Sequence, residues 1–203
     1  EVFATDVQRA NELLDEAGWS ERDAEGYRTK NGEQLSATVL QTDSVLVPVA
    51  VLEQFQASAK EVGFKLIIDQ EESSTFNERR NTWAYDAIPL YYTKNSPAVL
   101  NLTHVTANIE SIVEGGYHAN SNGLEGTEAE RIDELLHTAA VTGDEQERGD
   151  AYSAAQEAIH KQYVNLPIFD QQTRLGFRAD VKGVRLISPL GMPTFYDTWL
   201  DRK

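Results

Sequence analysis

The chain has no cysteine, which excludes thiol catalysis, disulfide frameworks and cysteine-ligated zinc or iron–sulfur centres. Nowhere does an apolar run approach the roughly 18 residues of a membrane-crossing helix, and the first residues are not a basic stretch followed by an apolar one. Positive charge is scarce as well. Lys and Arg number 18 against 33 Asp and Glu, for a formal net charge of −15. That balance repels phosphate and argues against nucleic acid or an anionic membrane as the partner. The acids are spread over helix faces instead of gathered in a tail, the pattern of a solvated surface. Only 7 of the basic residues are Lys, so an acidic surface suited to a high-salt habitat is the sharper alternative, tested by unfolding with and without molar salt.

What is there suffices for a globular α/β chain. With 203 residues, 40% of them hydrophobic, it can bury roughly 70% of the surface its unfolded form exposes, as one large domain or two small ones. Val7, Ala10, Leu13, Leu14 and Ala17 fall on one helical face, with Asp6 as cap and Gly18 as stop. Residues 21–34 are polar with an Asn31-Gly32 turn, and predict a short hairpin ahead of a strand over 35–41. Thr42-Asp43-Ser44 opens a helix whose stripe runs through Val45, Val49, Leu52, Phe55, Ala59 and Val62 to Gly63, and a strand follows over 64–69. Strand, helix and strand in about thirty residues make a βαβ unit with parallel strands.

Ser73 or Ser74 begins another short helix through Phe76 and Arg80. Residues 85–92 read as a third strand, in which Pro89 implies an edge or an irregularity. Residues 101–126 carry a weak pattern, with one or two helical turns around Ile109, Ile112 and Val113. Thr127 with Glu130, and Asp144 with Glu147, are capping boxes for two amphipathic helices. Short apolar runs at 165–169, 173–177 and 182–187 predict strands, and Phe195-Tyr196-Asp197-Thr198-Trp199-Leu200 closes the chain.

Chemistry-bearing patterns are few. Gly115-Gly116 lacks the spacing of a phosphate-binding loop. His104, His118, His137 and His160 are not spaced as metal ligands and read as scattered surface histidines. Glu71-Glu72 and Asp133-Glu134 are adjacent in sequence and do not converge as a general acid and base. The aromatics carry more. Trp83, Tyr85, Tyr91 and Tyr92 flank the third strand and an exit loop that clusters Thr93, Lys94, Asn95 and Ser96. In open α/β sheets ligands sit at the carboxyl ends of strands, against aromatic walls with a few polar groups. Padding of the core edge is the plainer reading of the same rings.

The order of motifs resembles a known family. Asp6-x-x-x-Ala10-x-x-Leu13-Leu14-x-x-Ala17-Gly18-Trp19, Phe55 to Gly63 leading into Phe64, and Thr75-Phe76 ahead of Tyr85-Asp86 come first. Ile132-Asp133-Glu134-Leu135-Leu136, the helix with Arg148 and Tyr152, Leu166-Pro167-Ile168-Phe169, Val181-Lys182-Gly183-Val184 and Tyr196-Asp197-x-Trp199 follow. Together these resemble family 5 of the extracellular solute-binding proteins, the dipeptide and oligopeptide type receptors of ABC importers. The resemblance implies a periplasmic-binding-protein-like lobe of type II, a mixed sheet flanked by helices, corresponding to roughly the C-terminal half of the family chain. It implies a ligand-binding lobe over 1–190 and a closing segment over 191–203 that returns to an N-terminal lobe, leaving Phe195, Tyr196 and Trp199 as an exposed apolar patch open to dimerisation.

The same resemblance implies an extracytoplasmic receptor, membrane-anchored at full length, that has no cofactor, metal or catalytic residue. Its partners are a peptide-like solute, a membrane permease and the N-terminal lobe of the same protein. Tyr91 and Tyr92 would wall the solute, Thr93 and Asn95 hydrogen-bond it and Lys94 orient it, with Arg80 standing behind them. In peptide-binding relatives this loop reads approximately Trp-x-x-Asp-x-x-x-Pro, and the Asp pairs with the peptide's amino group. Here Asn95 or Thr93 falls at the Asp, depending on the register, and neither is an acid. An amino-blocked peptide, a sugar or an anion is the alternative solute, and a protein-interaction or sensory module the alternative function. A hydrolase using acids from 101–126 is the rival from enzymology, with no placed nucleophile to support it.

Overall fold

The computed structural model describes residues 5–43, 47–90, 96–108, 112–113, 117–118, 123–169, 175–187 and 192–201. The chain divides into two compact units, Glu1–Tyr91 and Tyr92–Lys203.

In the first unit, helix α1 (Val7–Glu16) starts where Asp6 accepts a 2.8 Å hydrogen bond from the Arg9 amide. Strands β1 (Glu21–Arg22), β2 (Arg28–Lys30) and β3 (Glu33–Gln34) form an antiparallel meander, one strand more than the expected hairpin. Asn31 and Gly32 both have positive φ, 54° and 84°, which is what the two-residue turn between β2 and β3 requires. Arg28, the first residue of β2, is buried, 3% exposed. Its Nε donates to the Val62 carbonyl at 2.8 Å, Nη1 reaches Asp15 at 2.5 Å and Nη2 reaches Asn11 Oδ1 at 2.6 Å, so one guanidinium ties α1 to the chain ahead of the next strand. Gly63 has to be glycine here. Its φ is +81°, and a Cβ would stand 2.8 Å from Arg28 Cγ.

The βαβ unit is present. Strand β4 (Ser36–Gln41) and β5 (Lys65–Gln70) pair in parallel from Ser36↔Lys65 to Gln41↔Gln70, joined by α2 (Val49–Glu61). Val39, Val47 and Leu52 form its buried core, with Leu66 and Ile68 packed against them. The helix begins at Val49, after Pro48 (φ −61°, ψ 139°), and not at 42–44 as the stripe suggested. Proline disfavours the helical region for the residue before it and lacks the N–H that a helix interior needs, so no helix continues back through Val47.

Helix α3 (Ser73–Asn81) follows, and Trp83 (φ 57°) turns the chain and stacks on Tyr85 with ring centroids 6.2 Å apart. The expected strand over 85–92 is reduced, among the described residues, to a single parallel bridge, Val39↔Ala87. Leu40 N donates to Ala87 O at 2.9 Å and Asp86 accepts from the Thr38 amide at 2.7 Å. Pro89 has no N–H with which to extend that ladder.

The second unit is built on α4 (Val99–His104), α5 (Thr127–Val141) and α6 (Glu145–Lys161). Ile132, Leu136 and Ala139 of α5 meet Ala155, Ala158 and Ile159 of α6 in one buried cluster, as their helical spacing predicts. Of the two capping boxes one holds in part. Asp144 accepts from Glu147 N at 2.8 Å, while the Glu147 carboxylate takes the Thr142 hydroxyl instead of reaching back to the Asp144 amide. The other is overturned: Gly126, at φ 78° and ψ −163°, occupies the cap of α5 and Thr127 is its first helical residue. Such a φ favours glycine over threonine.

Helix α4 and the turn at Thr106–Asn108 lie where the pattern was weak. Ile112–Val113 forms strand β6, paired antiparallel with β7 (Tyr117–His118), where helical turns were expected; Ile109 lies outside the described residues. Beyond α6 the backbone turns at Tyr163 (φ 54°). Residues 165–169 and 175–177 form no strand, and the rest of the 173–177 run lies outside the described residues. The 182–187 run splits into β8 (Val181–Lys182), paired with β11 (Trp199–Leu200), and β9 (Arg185–Ile187), paired with β10 (Met192–Thr194). The apolar patch expected near the end is present: Phe195, Tyr196 and Trp199 are exposed, Tyr196 by 94%.

Candidate ligand edge of the parallel strands

Parallel strands leave their carboxyl ends on one edge, and β4 is the central member here, flanked by β5 and the bridge at Ala87. Its apolar run ends in a polar pair, Gln41 and Thr42, 1% and 2% exposed. Gln41 Nε2 donates to the Val47 carbonyl at 2.7 Å and folds the chain back over the strand end, while its Oε1 is buried with no hydrogen-bond partner among the described residues. Glu71 N donates to Gln41 O at 2.8 Å, and Gln70 Nε2 donates to Asp43 Oδ1, so both strand ends are stitched to the loops that leave them. Arg79 Nη1 lies 2.5 Å from Asp69 and 3.2 Å from Glu71. The hydrogen bond to Asp69, above all, holds its guanidinium more firmly charged. The edge is thus polar, hydrogen-bonded to its loops and rich in acceptors.

The sequence-predicted loop, Tyr91, Tyr92, Thr93, Lys94 and Asn95, lies outside the described residues. Arg80 is buried near the end of α3, 5% exposed. That helix starts close after β5 and carries Arg80 seven residues onward, about 10 Å at 1.5 Å per residue. Sequence reasoning passed over Gln41 and Thr42, which it took for the end of a strand and the start of a helix. Their signal was two polar residues directly after the apolar Val39-Leu40.

One histidine departs from the surface reading. His104 is 6% exposed; its Nδ1 lies 2.7 Å from Thr103 Oγ1 and its Nε2 2.5 Å from Asn165 Nδ2. Because Thr103 Oγ1 donates to the Val99 carbonyl, Nδ1 is the protonated nitrogen and Nε2 accepts from Asn165. Burial pushes this ring down to about 4, partly offset by a backbone bond to Leu100. His137 is exposed. Among the described residues no three His, Asp or Glu side chains gather as metal ligands would, and no helix is long and apolar enough to cross a membrane.

The sequence profile described as bacterial extracellular solute-binding proteins, family 5 middle, matches residues 1–107, which hold α1 to α4 and the whole carboxyl edge. The chain belongs to this family. Solved structures agree on the fold, an α/β periplasmic-binding-protein lobe. The dipeptide-binding protein of Pseudoalteromonas sp. SM9913, in complex with Met-Leu, is 22% identical at a TM-score of 0.66, over 98% of this chain and 38% of its own. The oligopeptide-binding protein AppA of Bacillus subtilis, in complex with a nonapeptide, is 18% identical at a TM-score of 0.62, over 80% and 33%. The periplasmic binding protein MelB of Agrobacterium fabrum, in complex with stachyose, is 13% identical at a TM-score of 0.62, over 80% and 25%. This family member therefore spans between a quarter and two fifths of the length of these structures.

Proposed function

We propose that the chain is the C-terminal lobe of an ABC importer's solute receptor, a ligand-binding lobe over 1–190 with a closing segment over 191–203. It works outside the cytoplasm, closes with an N-terminal lobe around a small solute and hands it to a membrane permease, with no chemistry of its own. The observation that carries this reading is the polar carboxyl edge of β4 and β5, which falls within the residues matched by the family profile. Open α/β sheets bind ligands at that edge. Tyr91, Tyr92, Thr93, Lys94 and Asn95, the residues that follow Leu90 in sequence, are our candidates to line the solute, with Arg80 behind them.

The solute is peptide-like, in line with the dipeptide and nonapeptide held by two of the similar structures. A second reading has its own support. Neither Thr93 nor Asn95 supplies a carboxylate for an amino terminus, and Lys94 adds positive charge, which favours an amino-blocked peptide, a sugar or an anion. MelB, with its stachyose, has the same fold.

Native mass spectrometry of the receptor from its source, before and after denaturation, is the test. A chain more than twice this size that sheds a small molecule is the expected result, and the mass lost separates a peptide from a sugar. A chain of this size with nothing bound contradicts the proposal. Replacing Tyr92 and Asn95 together by Ala is expected to weaken solute binding at least tenfold, read by calorimetry; unchanged affinity removes the loop from the site.

A further inference from the structure

Within the second unit, an open groove of about 740 Å³ runs between the start of α4 and the face of α6, inside the size range of small-ligand sites, roughly 300–1,000 Å³. Its floor is small and apolar, made by Pro97, Ala98, Ala139 and Ala140, and Gly149 leaves more room because a Cβ there meets nothing within 4 Å. The back wall is fixed. Tyr152 OH donates to Asn101 Oδ1 at 2.9 Å, and Asn101 Nδ2 donates to the Leu136 carbonyl at 2.8 Å.

Arg148 lines this groove, and its side chain stands without the carboxylate that six other arginines have. Arg9, Arg28, Arg79, Arg131, Arg178 and Arg185 each have a carboxylate within 3.4 Å. The Arg148 guanidinium has no ion pair or hydrogen bond among the described residues, although Glu145 stands one turn before it on the same helix and also lines the groove. It is the fourth residue of α6, near the positive end of the helix dipole, where a cation is disfavoured and an anion favoured. We propose that the groove binds a small carboxylate with an apolar tail, its carboxylate paired with Arg148 and its tail laid over the alanines and Pro97. A singly charged head suits the place, because Glu145 nearby opposes a more highly charged one. A guanidinium also offers a carboxylate two parallel N–H donors. The proposal draws only on residues of the second unit and does not rest on the transport reading.

The experiment is an NMR titration of the ¹⁵N-labelled protein with sodium hexanoate, sodium acetate and sodium chloride at constant ionic strength, following Arg148 Nε–H and the amides of Gly149 and Ser153. Hexanoate is expected to give saturable shifts, acetate to bind at least tenfold more weakly and chloride to give none. Arg148→Gln is expected to weaken hexanoate at least tenfold. Gly149→Leu is expected to do the same. That substitution raises helix propensity and keeps the guanidinium, but fills the groove, and so separates a groove site from a simple surface ion pair. Equal hexanoate and acetate affinities, no saturable shift in the unaltered protein, or a folded Gly149→Leu variant that binds hexanoate normally would each overturn the proposal.

Discussion

The α5–α6 pair and the residues that follow it are both rich in apolar side chains, yet they dispose of them in opposite ways. In the helical pair Ile132, Leu136 and Ala155 are completely buried against one another. After Tyr163, Leu166, Phe169, Leu186, Met192, Phe195 and Trp199 are all exposed. Helical spacing puts apolar residues three and four apart on one stripe, so two neighbouring helices complete each other's core. The strands after α6 are two or three residues long and pair in twos. A two-stranded ribbon is marginal on its own and has no second layer with which to cover its apolar faces. Composition alone thus does not make a core. A local partner does.

The largest expected effect contrasts one chemical change in the two regions. Leu136→Ala, deep between α5 and α6, is expected to cost about 2–5 kcal/mol through lost transfer energy and the cavity left behind. Urea unfolding measures it as a lower midpoint at unchanged slope. A cost under about 1 kcal/mol would mean that the helical pair repacks freely and that the contrast with the later segment is false.

The same contrast explains what was legible in the sequence. Helices α1, α5 and α6 announced themselves by spacing, and Asp6 and Asp144 by the caps they form. The parallel β4–α2–β5 unit was legible because its apolar strands and stripe sit within about thirty residues. The start of α2 was missed because the stripe was followed back past Pro48, and β6 because an apolar patch of three residues has no period of its own. The apolar runs at 165–169 and 175–177 were overread for the related reason that strand formation depends on a partner, which hydrophobicity does not specify. At the candidate site, Gln41 and Thr42 were hidden in what looked like a change of element. The burial of His104 depends on Asn165, 61 residues away, and no local pattern records such a pairing.

That His104–Asn165 bond ties the later segment to α4, whose Asn101 is itself bonded to Leu136 of α5, and pH sharpens the comparison. With its pKa lowered to about 4 in the folded state against about 6.5 unfolded, the ring stays neutral when folded while the unfolded chain takes up a proton. Its contribution to stability is therefore whole above pH 6.5 and is lost progressively as the pH falls towards 4, by about 3 kcal/mol at most. Unfolding free energies measured from pH 7 to 4 are expected to fall more steeply for the unaltered protein than for His104→Gln, in which the carboxylates still titrate alike. Parallel curves would show that the ring is solvated and that the later segment is not pinned to α4.

The smallest expected effect completes the comparison from the exposed side. Leu186→Ala in β9 removes the same atoms as Leu136→Ala, but from a side chain that is 58% exposed, so its cost is expected within about 0.5 kcal/mol. Its consequence should instead appear in association. Contiguous exposed apolar surface beyond a few hundred Å² marks an interaction face. Substituting Tyr196 and Trp199 by Ser is then expected to leave the unfolding midpoint nearly unchanged while lowering any concentration-dependent sedimentation of this chain. A large loss of stability from Leu186→Ala would mean that β9 already has its second layer, and that the two regions differ in how far apart in sequence their partners lie, not in whether they have them.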